Sequence, residues 1–188
     1  MWNPSYGFGP ETLYACSYRN WYVTSRQTNH DGAVLTYPNV HKDYNDVPIS
    51  SFDTITSRFA ATSPHVGIYN VAYDIWLNGV ATDGSTEVMI WTENYKQVPA
   101  GDQVATVNLG GRVYRVWKTS DNRYIAFVPT SVMTSGELNL LQMFKWLMSQ
   151  GWLSSKSTVG QIDFGVEIVS TGGRDATFNF TDFSITDN

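Results

Sequence analysis

Residues 85–91 read Ser-Thr-Glu-Val-Met-Ile-Trp, and the alternation of their side chains predicts a β-strand. Side chains alternate along a strand, so Glu87, Met89 and Trp91 share one face while two aliphatic residues occupy the other. A glutamate at the centre of an apolar strand is costly to desolvate unless its face lines a water-filled cleft. The stretch therefore predicts a β-rich fold with a cleft on one face of a sheet.

A second stretch, residues 164–170, repeats this arrangement with the sequence Phe-Gly-Val-Glu-Ile-Val-Ser. Glu167 shares a face with Gly165 and Val169, opposite three apolar side chains. Two such glutamates suit acid–base or nucleophilic sugar chemistry, because one carboxyl must give a proton while the other stays ionised. The alternative is two solvated strand faces. The aromatic content of 14% favours the first interpretation, because aromatic rings also stack on sugars.

The length of 188 residues is that of one domain, because all-β domains of this size often remain undivided. We therefore place a single domain at residues 1–188. The formal net charge of -5 argues against binding to a phosphate backbone, which needs clustered Lys and Arg. No apolar run approaches the roughly 20 residues of a membrane span. We therefore expect neither nucleic acid nor a membrane as a partner.

Strand patterns dominate the chain, and turn residues such as those at 110–111 separate them. The predicted strands are 19–25, 52–60, 66–77, 86–93, 104–109, 112–117, 124–128, 162–171 and 176–185. One amphipathic helix is predicted from a cap at Ser135, with Glu137 near its start, to an end near Gly151. Its apolar residues are Leu138, Leu141, Phe144 and Met148. This pattern predicts an all-β sandwich of two sheets with the helix on one outer face.

A third informative strand, residues 70–76, reads Asn-Val-Ala-Tyr-Asp-Ile-Trp. Asn70 and Asp74 lie on its polar face, where an acidic side chain needs a cleft or a partner. If this strand neighbours that of Glu87, the two carboxyls could share a proton, because a nearby like charge raises one pKa of such a pair.

Metal and thiol chemistry are not indicated. His30, His41 and His65 lie in turn-like sequence and lack the spacing of metal ligands. Cys16 is the only cysteine, so no intrachain disulfide can form. Without an activating neighbour, Cys16 is expected to be a small buried apolar residue.

Other acidic residues compete for the catalytic roles. Glu93 is predicted on the Glu87 face, but six residues along a strand place it ~20 Å away, too far to act on the same bond. Asp163 lies ~13 Å from Glu167 along its strand, and we assign it to the rim or to solvent. Structural roles are assigned to Glu11 and Glu137.

Four segments resemble glycoside hydrolase family 12. In chain order they are 37–40 (Tyr-Pro-Asn-Val), 70–74 (Asn-Val-Ala-Tyr-Asp), 87–91 (Glu-Val-Met-Ile-Trp) and 164–167 (Phe-Gly-Val-Glu). The resemblance covers nearly the whole chain. It implies a β-jelly-roll sandwich of two antiparallel sheets with a long concave cleft and one α-helix. The implied activity is that of an endo-β-1,4-glucanase or xyloglucanase acting on plant-type glucans.

The resemblance also implies the role of each matched residue. Glu87 resembles the nucleophile of a retaining double displacement, Glu167 its general acid/base, and Asp74 the aspartate that hydrogen-bonds the nucleophile. Such chemistry needs the two carboxyls only ~5–5.5 Å apart, and it requires no metal or organic cofactor. The implied substrate-binding residues are Trp2, which stacks on a sugar on the non-reducing side, Asn70, Met89 beneath the cleavage site, and Trp91 beside the nucleophile.

The N-terminus departs from the family pattern. Family members usually carry a further strand segment before the residue that Trp2 resembles, often with a cysteine that bonds to one near Cys16. This chain begins Met1-Trp2, so we expect that it lacks this segment. The family also implies secretion, although no signal peptide is visible, and we expect a monomer.

Two other functional classes remain as alternatives. One is a non-catalytic polysaccharide-binding jelly-roll module, which would not need an acid–base pair. The other is a structural β-sandwich without a sugar ligand, which would leave both strand glutamates unexplained. The residues leave cellulose, mixed-linkage β-glucan and xyloglucan open as substrates.

Overall fold

A computed structural model describes residues 1–3, 9–28 and 32–188, so His30 lies outside the described residues. Within these ranges the chain forms twelve strands, one α-helix and a 3₁₀ turn at Ile49–Ser51. The strands are β1 (Glu11–Ser17), β2 (Asn20–Ser25), β3 (Asn39–Pro48), β4 (Ile55–Thr62), β5 (Ile68–Leu77), β6 (Thr86–Tyr95), β7 (Asp102–Leu109), β8 (Arg112–Lys118), β9 (Tyr124–Pro129), β10 (Ser135–Asn139), β11 (Thr158–Ser170) and β12 (Ala176–Asp187). The helix α1 spans Leu140–Ser149.

The strands form two sheets. One has five strands in the order β1-β2-β12-β4-β10, and the other has seven in the order β3-β11-β5-β6-β9-β8-β7. Neighbouring strands run antiparallel except β6 and β9, which pair in parallel. The predicted two-sheet arrangement is confirmed, with this parallel pair as an addition. The predicted strand at 86–93 and that at 66–77 are neighbours, as β6 and β5.

The central strands of the seven-stranded sheet are buried on both faces, which explains their nearly continuous apolar sequence. On the face toward the other sheet, side chains such as Tyr73, Ile75 and Ile90 belong to the main core. On the opposite face a second, smaller cluster forms, and its buried members are Ala72, Met89, Trp91, Ala126 and Val128. This second cluster lies on the face of the sheet that also carries the predicted catalytic side chains.

The helix begins later than predicted. Ser135 is not its cap, because Ser135–Asn139 forms β10 and pairs with β4. Asn139 is the N-cap, and its side-chain oxygen accepts a hydrogen bond of 2.8 Å from the backbone N–H of Gln142. The buried face of α1 joins the main core, on the side of the seven-stranded sheet opposite the second cluster, where Trp146 contacts Phe127 of β9.

Several local expectations were wrong because three strands, β1, β3 and β10, were not predicted. His41 lies within β3 rather than in a turn, and Glu137 lies in β10 rather than near the start of the helix. Cys16 is exposed on β1 rather than buried. Helical segments able to span a bilayer are absent from the residues that the structure describes.

Candidate active site

The predicted catalytic residues converge on one cavity of about 520 Å³. Strands β5, β6 and β11 supply Asp74, Glu87 and Glu167, because the alternation of each strand turns these side chains away from the main core. The cavity is lined by Trp2, Val34, Tyr37, Asp74, Trp76, Val80, Ala81, Glu87, Gln161, Asp163 and Glu167. Both glutamates therefore line one cavity, whereas their catalytic roles stay predictions.

Strand register fixes the order of the acidic groups across the cleft. Asp74 of β5 lies opposite Met89 of β6, and Trp76 lies opposite Glu87, so Asp74 and Glu87 are diagonal neighbours. On its other side, Asp74 lies directly opposite Asp163 of β11. These three carboxyl groups therefore form a row across neighbouring strands.

Gly165 separates the two acidic residues of β11. A Cβ atom built there would lie 2.1 Å from the carbonyl oxygen of Pro38, so any side chain would push β3 away from β11. Its lack of a side chain allows the segment that carries Tyr37 and Asn39 to pack closely against this part of β11. Tyr37 lines the cavity, and its hydroxyl donates a hydrogen bond of 3.2 Å to the carbonyl oxygen of Ala72.

Glu167 is held by two carboxamides. Nδ2 of Asn70 donates to its Oε2 at 2.6 Å, and Nε2 of Gln97 donates to the same oxygen at 3.3 Å. Burial raises the pKa of Glu167, whereas both amide donors lower it because they stabilise the ionised form. Asn70, predicted at the substrate, is thus found in contact with Glu167.

Gln97 is a site residue that the sequence analysis missed. It lies in the loop after β6, where its backbone N–H donates to Oδ1 of Asn94 at 2.9 Å. Nδ2 of Asn94 donates in turn to the carbonyl oxygen of Gln97 at 2.8 Å. This reciprocal pair fixes the turn that aims Gln97 at Glu167. An Asn followed three residues later by a polar residue, just after a strand, is a turn signal that could have drawn attention to it.

Burial and mutual repulsion raise the pKa values of the carboxyls around the cleavage position. Burial raises the pKa of Glu87 to about 7, and the charge of Glu167 adds to this effect. Burial likewise raises the pKa of Asp74 well above its usual range, and the charges of Glu87, Asp163 and Glu167 raise it further. Oδ1 of Asp74 is buried and has no hydrogen-bond partner among the described residues. The predicted hydrogen bond from Asp74 to Glu87 stays a prediction.

Asp163 is not a rim residue, contrary to the sequence interpretation. It is 2% exposed and lines the cavity. The sequence interpretation rested on its distance from Glu167 along the strand, but Asp163 lies directly opposite Asp74 of β5 and His41 of β3, within the sheet. Burial raises the pKa of Asp163 to about 8, with the charge of Asp43 as a second cause.

Glu93 does not share the Glu87 face, contrary to the predicted alternation. In the pairing of β5 with β6, Ala72 lies opposite Trp91 and Val71 opposite Glu93, so Thr92 is an extra residue in a β-bulge. The bulge turns Glu93 toward the main core. There its Oε1 accepts hydrogen bonds from Ser63 and from Tyr69 of the core, at 2.6 and 2.8 Å.

The predicted sugar-contacting aromatic residues differ in exposure. Trp2 is 55% exposed and is anchored by two backbone hydrogen bonds of 2.9 Å with Asn39 of β3. Trp91 and Met89 are buried, and Nε1 of Trp91 donates to Sδ of Met89 at 3.4 Å. The hydroxyl of Tyr124 donates to the same sulfur at 3.4 Å. Direct contact of these residues with a sugar stays a prediction.

Across the described ranges, no three or more His, Cys, Asp and Glu side chains are arranged so as to hold a metal ion.

Comparison with sequence families gives a match over almost the whole chain. A family model described as Glycosyl hydrolase family 12 matches residues 2–188. Endoglucanase S of Pectobacterium parmentieri is 32% identical over 143 residues, which cover 68% of this chain and 53% of that protein. The chain thus spans about half the length of this curated relative.

Solved structures give a matching result for the fold. The xyloglucanase domain of NopAA, a type three effector from Sinorhizobium fredii, was solved in complex with cellobiose and is 29% identical to this chain. The match covers 99% of this chain and 90% of that one, with a TM-score of 0.87. A family 12 xyloglucanase from Bacillus licheniformis matches in fold with a TM-score of 0.84, at 24% identity, over 95% of this chain and 86% of its own. The predicted jelly-roll fold is confirmed.

Proposed function

The chain belongs to glycosyl hydrolase family 12, and from this premise we propose that it hydrolyses internal β-1,4-glucosidic bonds of a glucan by a retaining double displacement. The observation that carries the proposal is the shared cavity of Glu87 and Glu167, in which each carboxyl has a different environment. Glu167 accepts two amide hydrogen bonds, whereas Glu87 lies beside the buried Asp74. Different environments give two catalytic carboxyls different pKa values, so that one can act as an acid while the other acts as a nucleophile.

In the first step, the carboxylate of Glu87 attacks the anomeric carbon and forms a covalent glycosyl-enzyme ester. The bond from this carbon to the leaving oxygen breaks, and Glu167 gives its proton to that oxygen. In the second step, Glu167 takes a proton from a water molecule, whose oxygen attacks the same carbon and releases Glu87. Two inversions at one carbon retain its configuration.

The proposed steps need one proton on the pair of glutamates and a protonated Asp74 beside the nucleophile. Below a pH of about 7 the two glutamates together hold at least one proton, because burial and mutual repulsion oppose loss of both. The raised pKa of Asp74 keeps this residue protonated, so that it can donate a hydrogen bond to Glu87 and stabilise the ionised nucleophile. The first step needs this shared proton on Glu167, and a hydrogen bond donated by Asp74 to Glu87 favours that distribution because it stabilises the ionised form of Glu87.

The first test is the release of reducing sugars from carboxymethyl cellulose, mixed-linkage β-glucan and xyloglucan. We expect activity in the wild-type protein and its loss, by about 10³-fold or more, in Glu87→Gln, which removes the nucleophile. The matched control is Glu137→Gln on β10, an exposed position outside the cavity, which should remain active. A folded wild-type protein without activity on any of these substrates would contradict the proposal and favour a binding module.

The stereochemical course is a separate test. Proton NMR of the first products from a soluble β-glucan oligosaccharide should show the β-anomer at the new reducing end before mutarotation. Initial appearance of the α-anomer would exclude Glu87 as a nucleophile, even if hydrolysis itself were observed.

A further inference from the structure

The cavity contains one carboxyl group more than the proposed chemistry uses. Glu87 and Glu167 perform the displacement and Asp74 assists Glu87, but Asp163 lines the same cavity without a role. It is 2% exposed, and burial of an acidic side chain is costly unless a partner satisfies it. We therefore expect Asp163 to have a hydrogen-bond partner in the working enzyme.

The surroundings of Asp163 leave one of its oxygens without a partner. Oδ1 is buried and makes no hydrogen bond to any residue in the described ranges. Across the strands, Asp163 lies opposite Asp74 of β5 on one side and His41 of β3 on the other. Oδ1 of Asp74 is also buried without a partner, so these two oxygens do not hydrogen-bond to each other. A ligand in the cavity, or the water that it would displace, can supply this hydrogen bond.

The location of Asp163 indicates which part of a ligand would reach it. Asn39, which pairs with the backbone of Trp2, is two residues before His41 on β3, and His41 lies directly opposite Asp163. Asp163 therefore lies between the strand that anchors the exposed indole of Trp2 and the strand that carries Asp74. A sugar unit held beside Trp2 would pass over this position on its way to the catalytic pair.

We propose that Asp163 hydrogen-bonds a hydroxyl group of the glucosyl unit that lies between Trp2 and the catalytic pair, and thereby contributes to substrate affinity. The inference rests on the proposed function, because it takes a β-1,4-glucan as the ligand. Burial and the charge of Asp43 raise the pKa of Asp163 to about 8, while the N-terminal amino group lowers it. At neutral pH the carboxyl is thus neutral and can both donate and accept, which matches the capacity of a sugar hydroxyl.

The test uses binding in a protein that cannot turn its ligand over. In the Glu87→Gln background, we would measure the affinity for cellotetraose by isothermal titration calorimetry with Asp163 intact, with Asp163→Asn and with Asp163→Leu. Asn keeps a donor and an acceptor, whereas Leu has a similar shape but no polar atom. We expect Asp163→Asn to bind within about threefold of the parent and Asp163→Leu about tenfold more weakly.

Each outcome decides one of the two proposals. Equal affinity in the parent and in a folded Asp163→Leu protein would overturn the role of Asp163 and leave the proposed function intact. If the parent itself bound no oligosaccharide, the proposed function would fail instead. Should Asp163→Leu not fold, Asp163→Ala provides the same comparison. In the active enzyme, the expected signature is a raised KM with nearly unchanged kcat, which is then rescued by Asp163→Asn.

Discussion

Gln97 donates a hydrogen bond of 3.3 Å to Oε2 of Glu167, the same oxygen that accepts the 2.6 Å bond from Asn70. Both donors therefore act on one oxygen and leave Oε1 as the oxygen that can carry the proton. Because amide donors stabilise a carboxylate, they lower the pKa of Glu167 against the effect of burial. The loop after β6 thus adjusts the acidity of a residue on β11.

Replacement of Gln97 should therefore change the pH dependence of activity. Gln97→Ala removes a donor to the ionised form, so the pKa of Glu167 should rise and the basic limb of the kcat/KM profile should move to higher pH. We expect a shift of about half a unit. Gln103→Ala, at an exposed position of β7, is the control and should leave the profile unchanged. A basic limb that stayed in place or moved to lower pH would contradict this assignment.

Loss of the charge of Glu167 should lower the pKa of Glu87. Burial raises that pKa to about 7, with repulsion by Glu167 as the second cause. In Glu167→Gln the repulsion is absent, and we expect Glu87 to titrate about one unit lower. ¹³C NMR titration of glutamate-labelled protein would show two coupled steps in the wild type and one lower step for this site in the variant. An unchanged upper step near 7 would mean that burial alone sets it.

Asp163→Asn should stabilise the protein at alkaline pH. The pKa of Asp163 is about 8 in the folded chain and near 3.8 when unfolded, so the folded state binds more protons between these values. The free energy of unfolding therefore falls as pH rises from about 4 to 8. The Asp163→Asn variant has no ionisable group at this position, so its stability does not fall for this reason. Urea unfolding should show the variant more stable by on the order of 2–4 kcal/mol at pH 9, and little difference at pH 3. A stability difference independent of pH would argue against a buried neutral carboxyl.

The strand alternation of β5, β6 and β11 was sufficient to predict which face carries Asp74, Glu87 and Glu167. These strands are central in their sheet, so burial on one face enforces the alternation. By contrast, β3 reads Asn-Val-His-Lys-Asp-Tyr-Asn-Asp-Val-Pro and has no apolar alternation, because it lies at the edge of the seven-stranded sheet. Its strand conformation follows from pairing with β11, which local sequence does not encode.

Two site features depend on that non-local pairing and could not be predicted. Asp163 lies between His41 of β3 and Asp74 of β5 because β11 pairs with both strands, and Glu93 leaves the cleft face because Thr92 forms a bulge against β5. A bulge shifts the phase of alternation by one residue, so any prediction made by counting from Glu87 fails beyond it. The helix start failed for a related reason, since pairing with β4 holds Ser135–Asn139 extended despite its helical signals.

Glu93 has one buried partner, Tyr69, and one exposed partner, His65. Oε1 of Glu93 accepts from the Tyr69 hydroxyl at 2.8 Å and lies 3.0 Å from Nε2 of His65. The side chain of Glu93 is 5% exposed, whereas that of His65 is 65% exposed. Solvent can therefore replace the contact with His65 but not the contact inside the core.

We accordingly expect Glu93→Ala to destabilise the fold by about 2–3 kcal/mol, because it removes the carboxylate that accepts from the buried hydroxyl of Tyr69 and opens space. His65→Ala should cost less than about 1 kcal/mol, as exposed pairs usually do. Glu93→Gln, which keeps an acceptor oxygen, should fall between them. Urea unfolding at neutral pH would measure all three, and equal stabilities for Glu93→Ala and His65→Ala would contradict the assignment. The kcat of each folded variant should remain close to wild type, since the bulge at Thr92 directs Glu93 away from the cleft.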